Sequence, residues 1–82
     1  MWRVVVESRA NRSVRRFPVA DRERIARAVA QLAHGPLLGD VRKLDGNEYR
    51  LRVGSYRAFL TIDFDQHAVT VTDVVRRTST TY

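Results

Sequence analysis

Between residues 48 and 64 the chain alternates with a period of two. Tyr49, Leu51 and Val53 are interleaved with Arg50 and Arg52, and Tyr56, Ala58, Leu60, Ile62 and Phe64 with Arg57, Phe59, Thr61 and Asp63. A strand sends successive side chains to opposite faces, so the pattern predicts strands over 48–53 and 56–64, each with one apolar face. A third strand follows at 68–76, with Val69, Val71 and either Val74 or Val75 directed to the core. Gly54-Ser55 and Asp65-Gln66-His67 carry the residue types of tight hairpin turns. Trp2 to Val6 is a short first strand rich in β-branched residues.

Between these strands the period changes. Ala10, Val14 and Phe17 recur at helical spacing behind Ser8, the expected N-cap, and Pro18 ends that helix. A second helix opens near Asp21, also an expected N-cap, and turns Ile25, Ala28, Val29 and Leu32 to one side. His34-Gly35-Pro36 supplies a glycine-then-proline exit. Leu37 to Asp45 reads as a connecting loop, and Asp45-Gly46-Asn47 as a turn. The predicted order is β-α-α-β-β-β: one α+β domain over 1–82, its helical hairpin packed on one face of a small antiparallel sheet.

Composition adds a charge. Fifteen basic residues against nine acidic give a formal net charge of +6, and only Lys43 is a lysine. Such a surface attracts polyanions, whether nucleic acid or an acidic protein. Arginine presents a planar fork suited to phosphate, where lysine is a point charge. With no cysteine in the chain, disulfide and thiol chemistry are absent, which fits a reducing cytoplasm. No stretch approaches the ~18 apolar residues of a membrane span, and the opening apolar run is too short for a signal peptide. A soluble cytoplasmic protein is expected.

The candidate chemistry lies in where the arginines fall. Arg50 and Arg52 share the displayed face of their strand, and Arg57, just past the Gly-Ser turn, returns to it. Arg76, Arg77 and Tyr82 close the chain. Singly each has an ordinary reading: Arg50 and Arg52 as a solvated edge, Arg57 as a cross-sheet partner of Asp63 or Asp73, Tyr82 as an apolar anchor. Together, with no clustered carboxylates or metal ligands among them, they suggest a phosphate site that needs no metal or cofactor. His34 reads as a helix-terminal cap and His67 as an exposed turn residue, neither a catalytic base. Trp2 reads as core.

The run Lys43-Leu-Asp-Gly, then Tyr49-Arg-Leu-Arg-Val-Gly-Ser-Tyr-Arg57, with the terminal Arg-Arg…Tyr, resembles the RelE/ParE superfamily of bacterial toxin–antitoxin toxins over essentially the whole chain. The RelE-like branch, which the retained basic residues favour, implies a ribosome-dependent endoribonuclease that cuts messenger RNA and inhibits translation. Its partners would be the ribosome, messenger RNA and an acidic antitoxin. By that resemblance Arg50 and Arg52 match two basic strand residues, Arg57 the arginine on the scissile phosphate, and Arg77 a second phosphate-stabilising arginine. Tyr82 matches the C-terminal tyrosine that stacks on or activates the nucleotide, while Lys43 and Arg76 are expected to bind RNA. Where many relatives have lysine this chain has Arg50 and Arg52, and an arginine is a poor proton acceptor. The competing readings are a ParE-like gyrase inhibitor without nuclease activity, and an inactive relative that only binds RNA or antitoxin.

Overall fold

The computed structural model describes residues 1–77, so Tyr82 lies outside the described residues. The elements are β1 (Arg3–Val6), α1 (Ser8–Arg15), α2 (Val19–Gln31), β2 (Val41–Asp45), β3 (Glu48–Val53), β4 (Tyr56–Asp63) and β5 (Ala68–Arg76). The strands form one five-stranded sheet in the order β1-β5-β4-β3-β2. The α+β class, the helical hairpin and the three alternating strands stand as expected. The sheet is mixed, because β1 runs parallel to β5 while the other neighbours are antiparallel.

The segment Leu37 to Asp45 is not all loop: Val41–Asp45 forms β2 and pairs with β3. Its sequence hides this, since Val41 and Leu44 are three apart and give no alternation. The ladder slips between Lys43 and Asp45, leaving Leu44 as a bulge. As an edge strand, β2 forms through its bonds to β3 rather than through burial of its own side chains.

Both predicted N-caps are displaced. Glu7 occupies the cap of α1 without a side-chain bond, with Ser8 already helical, and α2 starts directly behind Pro18. Asp21 instead sits in the first turn of α2, where its carboxylate accepts a 2.7 Å hydrogen bond from the Tyr56 hydroxyl.

Every buried strand residue belongs to one side of the sheet. Leu51, Val53, Tyr56, Ala58, Leu60, Ile62, Val69, Val71 and Val74 meet Ala10, Ile25 and Leu32 of the helical hairpin region. A bulge decides between the two valines of β5. Phe59 pairs with Asp73 but Leu60 with Val71, so Thr72 is the extra residue and Val74, not Val75, turns inward. The Thr72 hydroxyl donates to the Phe59 carbonyl across the bulge. Phe64, expected in the core, is 47% exposed and packs edge-on against Trp2. It follows the last paired residue of β4, beyond the reach of the helices.

The tie between hairpin and sheet is Tyr56. Phe17, in the link between the helices, lies 4.5 Å from its ring. The bond to Asp21, then burial, hold the phenol above its ordinary pKa of 10.0. A raised phenol pKa means that the contribution is complete below pH ~10 and is lost as pH rises through the folded value. Tyr56→Phe should therefore lower the denaturation midpoint at pH 7, and the gap from wild type should close at strongly alkaline pH. Leu60→Ala, at a position 1% exposed in the sheet centre, should cost about 2–5 kcal/mol in equilibrium denaturation at any pH in that range.

Candidate functional site

The side of the sheet turned away from the helices carries the arginines. Among the described residues neither helix covers it. Cross-strand register places Arg42 of β2 opposite Arg50 of β3, and Arg52 of β3 opposite Arg57 of β4. Directly opposed residues have Cα atoms roughly 4.5–5.5 Å apart, so these are two like-charged pairs on adjacent rungs. Arg42 is not among the residues the sequence pattern points to, because it belongs to β2, which forms by pairing with β3 and shows no alternation of its own. Its only signal is its place two residues after Asp40 and just ahead of the Lys43-Leu-Asp-Gly run.

The hairpin turn fixes this geometry. Val53 pairs with Tyr56, leaving Gly54-Ser55 as the loop, and Gly54 has φ +56°. Glycine with positive φ at the first loop position matches the twist of the strands, so β4 turns back in register and Arg57 lands opposite Arg52. The Arg77 N–H donates to the Ser55 carbonyl, which holds Arg77 beside the same turn.

Two expected residues are not brought to this face. Lys43 pairs with Tyr49 and Arg76 with Tyr56, so both lie on the helix-facing side by register. Tyr82 is outside the described residues. His34 and His67 are also remote: His67, exposed with φ +51°, stands 4.9 Å from Trp2 at the β4–β5 turn.

Few carboxylates balance the guanidiniums. Among the described residues the ion pairs are Arg52–Asp40 at 2.9 Å and Arg9–Asp73 at 3.2 Å. The first is exposed on both sides and worth little. Asp73 is drawn towards α1, where it also accepts from the Ser13 hydroxyl, and Asp63 caps its own turn through the N–H groups of Asp65 and Gln66. Neither takes Arg57. Arg50 and Arg57 are half-buried, and the Nε of each is out of contact with water and has no hydrogen-bond partner. A polar group withdrawn from water without a partner is costly. An anion with several acceptor oxygens matches this set, and a tetrahedral phosphate matches the guanidinium fork. Among the described residues no group of three or more His, Asp or Glu gathers that could hold a metal ion.

Two helices on one face of a five-stranded sheet, with this basic opposite face, define a RelE/ParE-like toxin fold. The chain belongs to the ParE toxin family, whose model, described as the ParE toxin of the type II toxin–antitoxin system parDE, matches residues 6–80. It is similar to the toxin of the RelE–RelB complex from Pyrococcus horikoshii, at 22% identity and TM-score 0.86, over 96% of this chain and 98% of that one. The E. coli RelBE complex matches at 20% identity and TM-score 0.76, over 93% and 96%. The RelBE2 complex from Mycobacterium tuberculosis matches at 26% identity and TM-score 0.66, over 93% and 98%. Among curated proteins nothing matches. The chain is thus a toxin of the RelE/ParE superfamily, of the type II toxin–antitoxin class.

Like charges directly opposite each other destabilise a sheet. Arg57→Gln should therefore raise the denaturation midpoint slightly at low salt, and the gain should shrink as salt screens the pair. A fall in stability would show that Arg57 is held by a partner.

Proposed function

We propose that this toxin is a metal-independent, ribosome-dependent endoribonuclease of RelE type, which cuts messenger RNA and stops translation. What supports the reading is the convergence of Arg50, Arg52 and Arg57, joined by Arg42, on one sheet face where, among the described residues, Asp40 is the one carboxylate ion-paired with these arginines. Its partner would be an acidic antitoxin, since several of its structural neighbours are RelE–RelB complexes and its own charge is +6.

In the proposed reaction the 2′-oxygen attacks the adjacent phosphorus and gives up its proton, and the bond from phosphorus to the 5′-oxygen breaks. The departing oxygen takes a proton. The products are a 2′,3′-cyclic phosphate and a 5′-hydroxyl. Arg57 and Arg77 take the role of balancing the added negative charge in the transition state, because guanidiniums stay ionised and offer paired donors. Arg50 and Arg52 hold flanking phosphates, because a guanidinium offers several donors and no acceptor and so serves as an anion holder rather than as a base. Tyr82 is the candidate to accept the 2′ proton, since a phenol ionises near pH 10 and lower beside cations. Lys43 and Arg76, on the other side of the sheet, are left outside this constellation.

The name of the matching family favours a second reading, a ParE-like gyrase inhibitor with no chemistry of its own. Inducing the chain alone in a bacterium while mapping messenger RNA ends separates the two. Codon-phased cuts should appear and fall about 10²–10³-fold in rate with Arg57→Ala, the loss expected for one charge-stabilising donor. Growth arrest with intact messages and trapped gyrase–DNA complexes would establish the second reading instead.

A further inference from the structure

We infer that Phe59 is a stacking platform for an unpaired nucleobase, so that this face binds single-stranded RNA through a ring as well as through charge. The inference rests on the proposed phosphate-binding role of the same face.

Phe59 lies at the centre of the arginine-bearing side. Its strand neighbours Ala58 and Leu60 are both 1% exposed on the helix side, so Phe59 points the other way. Register sets it directly opposite Arg50, two residues from Arg57 and diagonal to Val75, which is 36% exposed. Phe59 and Val75 thus form an apolar floor bordered by Arg50 and Arg57, with Arg42 one strand further, ~10 Å away at the usual strand spacing. Thr61 and Glu48, paired at the next outward position, close the basic region on that side.

A large aromatic side chain on an uncovered sheet face is unusual without a partner. Among the described residues every other aromatic side chain meets a second ring: Trp2 and Tyr49 meet Phe64, and Phe17 meets Tyr56. Phe59 alone does not. The carboxylate nearest in register, on Asp73, is turned towards Arg9 and Ser13, which leaves the surroundings of Phe59 cationic. Arginines tracking a backbone around an aromatic residue are the means by which sheet surfaces bind single strands, because every base has a π-face to offer and a paired base does not. A duplex would present only phosphates and leave the ring unused. An acidic protein segment would satisfy the arginines but gives no reason for the ring.

The probe is a short single-stranded RNA carrying 2-aminopurine, titrated with the purified full chain and compared with inorganic polyphosphate and an RNA duplex of equal length. Phe59→Leu keeps an apolar side chain but has no π-face. It should weaken single-strand binding about tenfold and relieve the 2-aminopurine quenching, while polyphosphate binding and the salt dependence stay unchanged. Phe59→Trp should restore both. Arg50→Ala should weaken RNA and polyphosphate alike and flatten the salt dependence. Unchanged RNA binding and quenching in Phe59→Leu, or equal affinity for duplex, overturns the platform while the arginine variants still uphold the phosphate face. Unchanged RNA and polyphosphate binding in Arg50→Ala and Arg57→Ala removes the phosphate face and the platform together.

Discussion

Among the described residues, two short helices cover one side of a five-stranded sheet. The opposite side, which among the described residues carries Arg50, Arg52, Arg57 and Thr61, is tolerable to water. Everything of interest follows from that one-sided burial. The fully buried strand residues beneath the helices are Leu, Ile, Val, Ala and one Tyr, and those on the far side are free to carry charge. Because the period along a strand is two, no residue of β3 or β4 can serve both purposes, and a one-residue slip would exchange the two sets.

That coupling gives the basic face its rigidity. Arg50 and Arg52 stand where they do because Leu51 and Val53 are pinned beneath the helices. Arg57 stands opposite Arg52 because Tyr56 is clamped by Asp21 and Phe17 on the reverse side. The arrangement is electrostatically unfavourable in isolation, with like charges on facing rungs and two Nε groups without acceptors. Folding tolerates it because the apolar side over-determines the register. A surface whose own charges repel is a surface suited to an anion, which is the physical content shared by the nuclease reading and by antitoxin binding.

The ParE name of the family and the RelE structures among the neighbours describe one fold with two reported kinds of namesake. A scaffold of this kind does not choose between chemistries. What differs between the readings is whether the face only docks or also stabilises a pentavalent phosphorus, and that turns on the arginines and on Tyr82. The bland alternatives for Arg57 are weakened, since Asp63 is engaged in its own turn and Asp73 with α1. Arg52 keeps part of its ordinary reading through the exposed pair with Asp40.

Much of the fold is legible in the sequence alone. Alternation over 48–64 gave β3 and β4 nearly to the residue, together with the sides on which Arg50, Arg52 and Arg57 lie, because period and burial are the same fact in a one-sided sheet. The helical hairpin was readable from the spacing of Ala10, Val14, Ile25, Val29 and Leu32. Hidden were features that depend on a partner strand. β2 carries no alternation and exists through its ladder to β3, so the pattern does not place Arg42, and Lys43, expected to bind RNA, is turned by its register with Tyr49 to the helix-facing side. The choice of Val74 over Val75 came from a bulge at Thr72 that only pairing with β4 creates. Asp21, a cap by its sequence, became the acceptor for a tyrosine 35 positions later. Local pattern decides which side of its own strand a residue takes; which residues then become neighbours is settled by hydrogen bonds between segments far apart in the chain, and those leave no periodic trace.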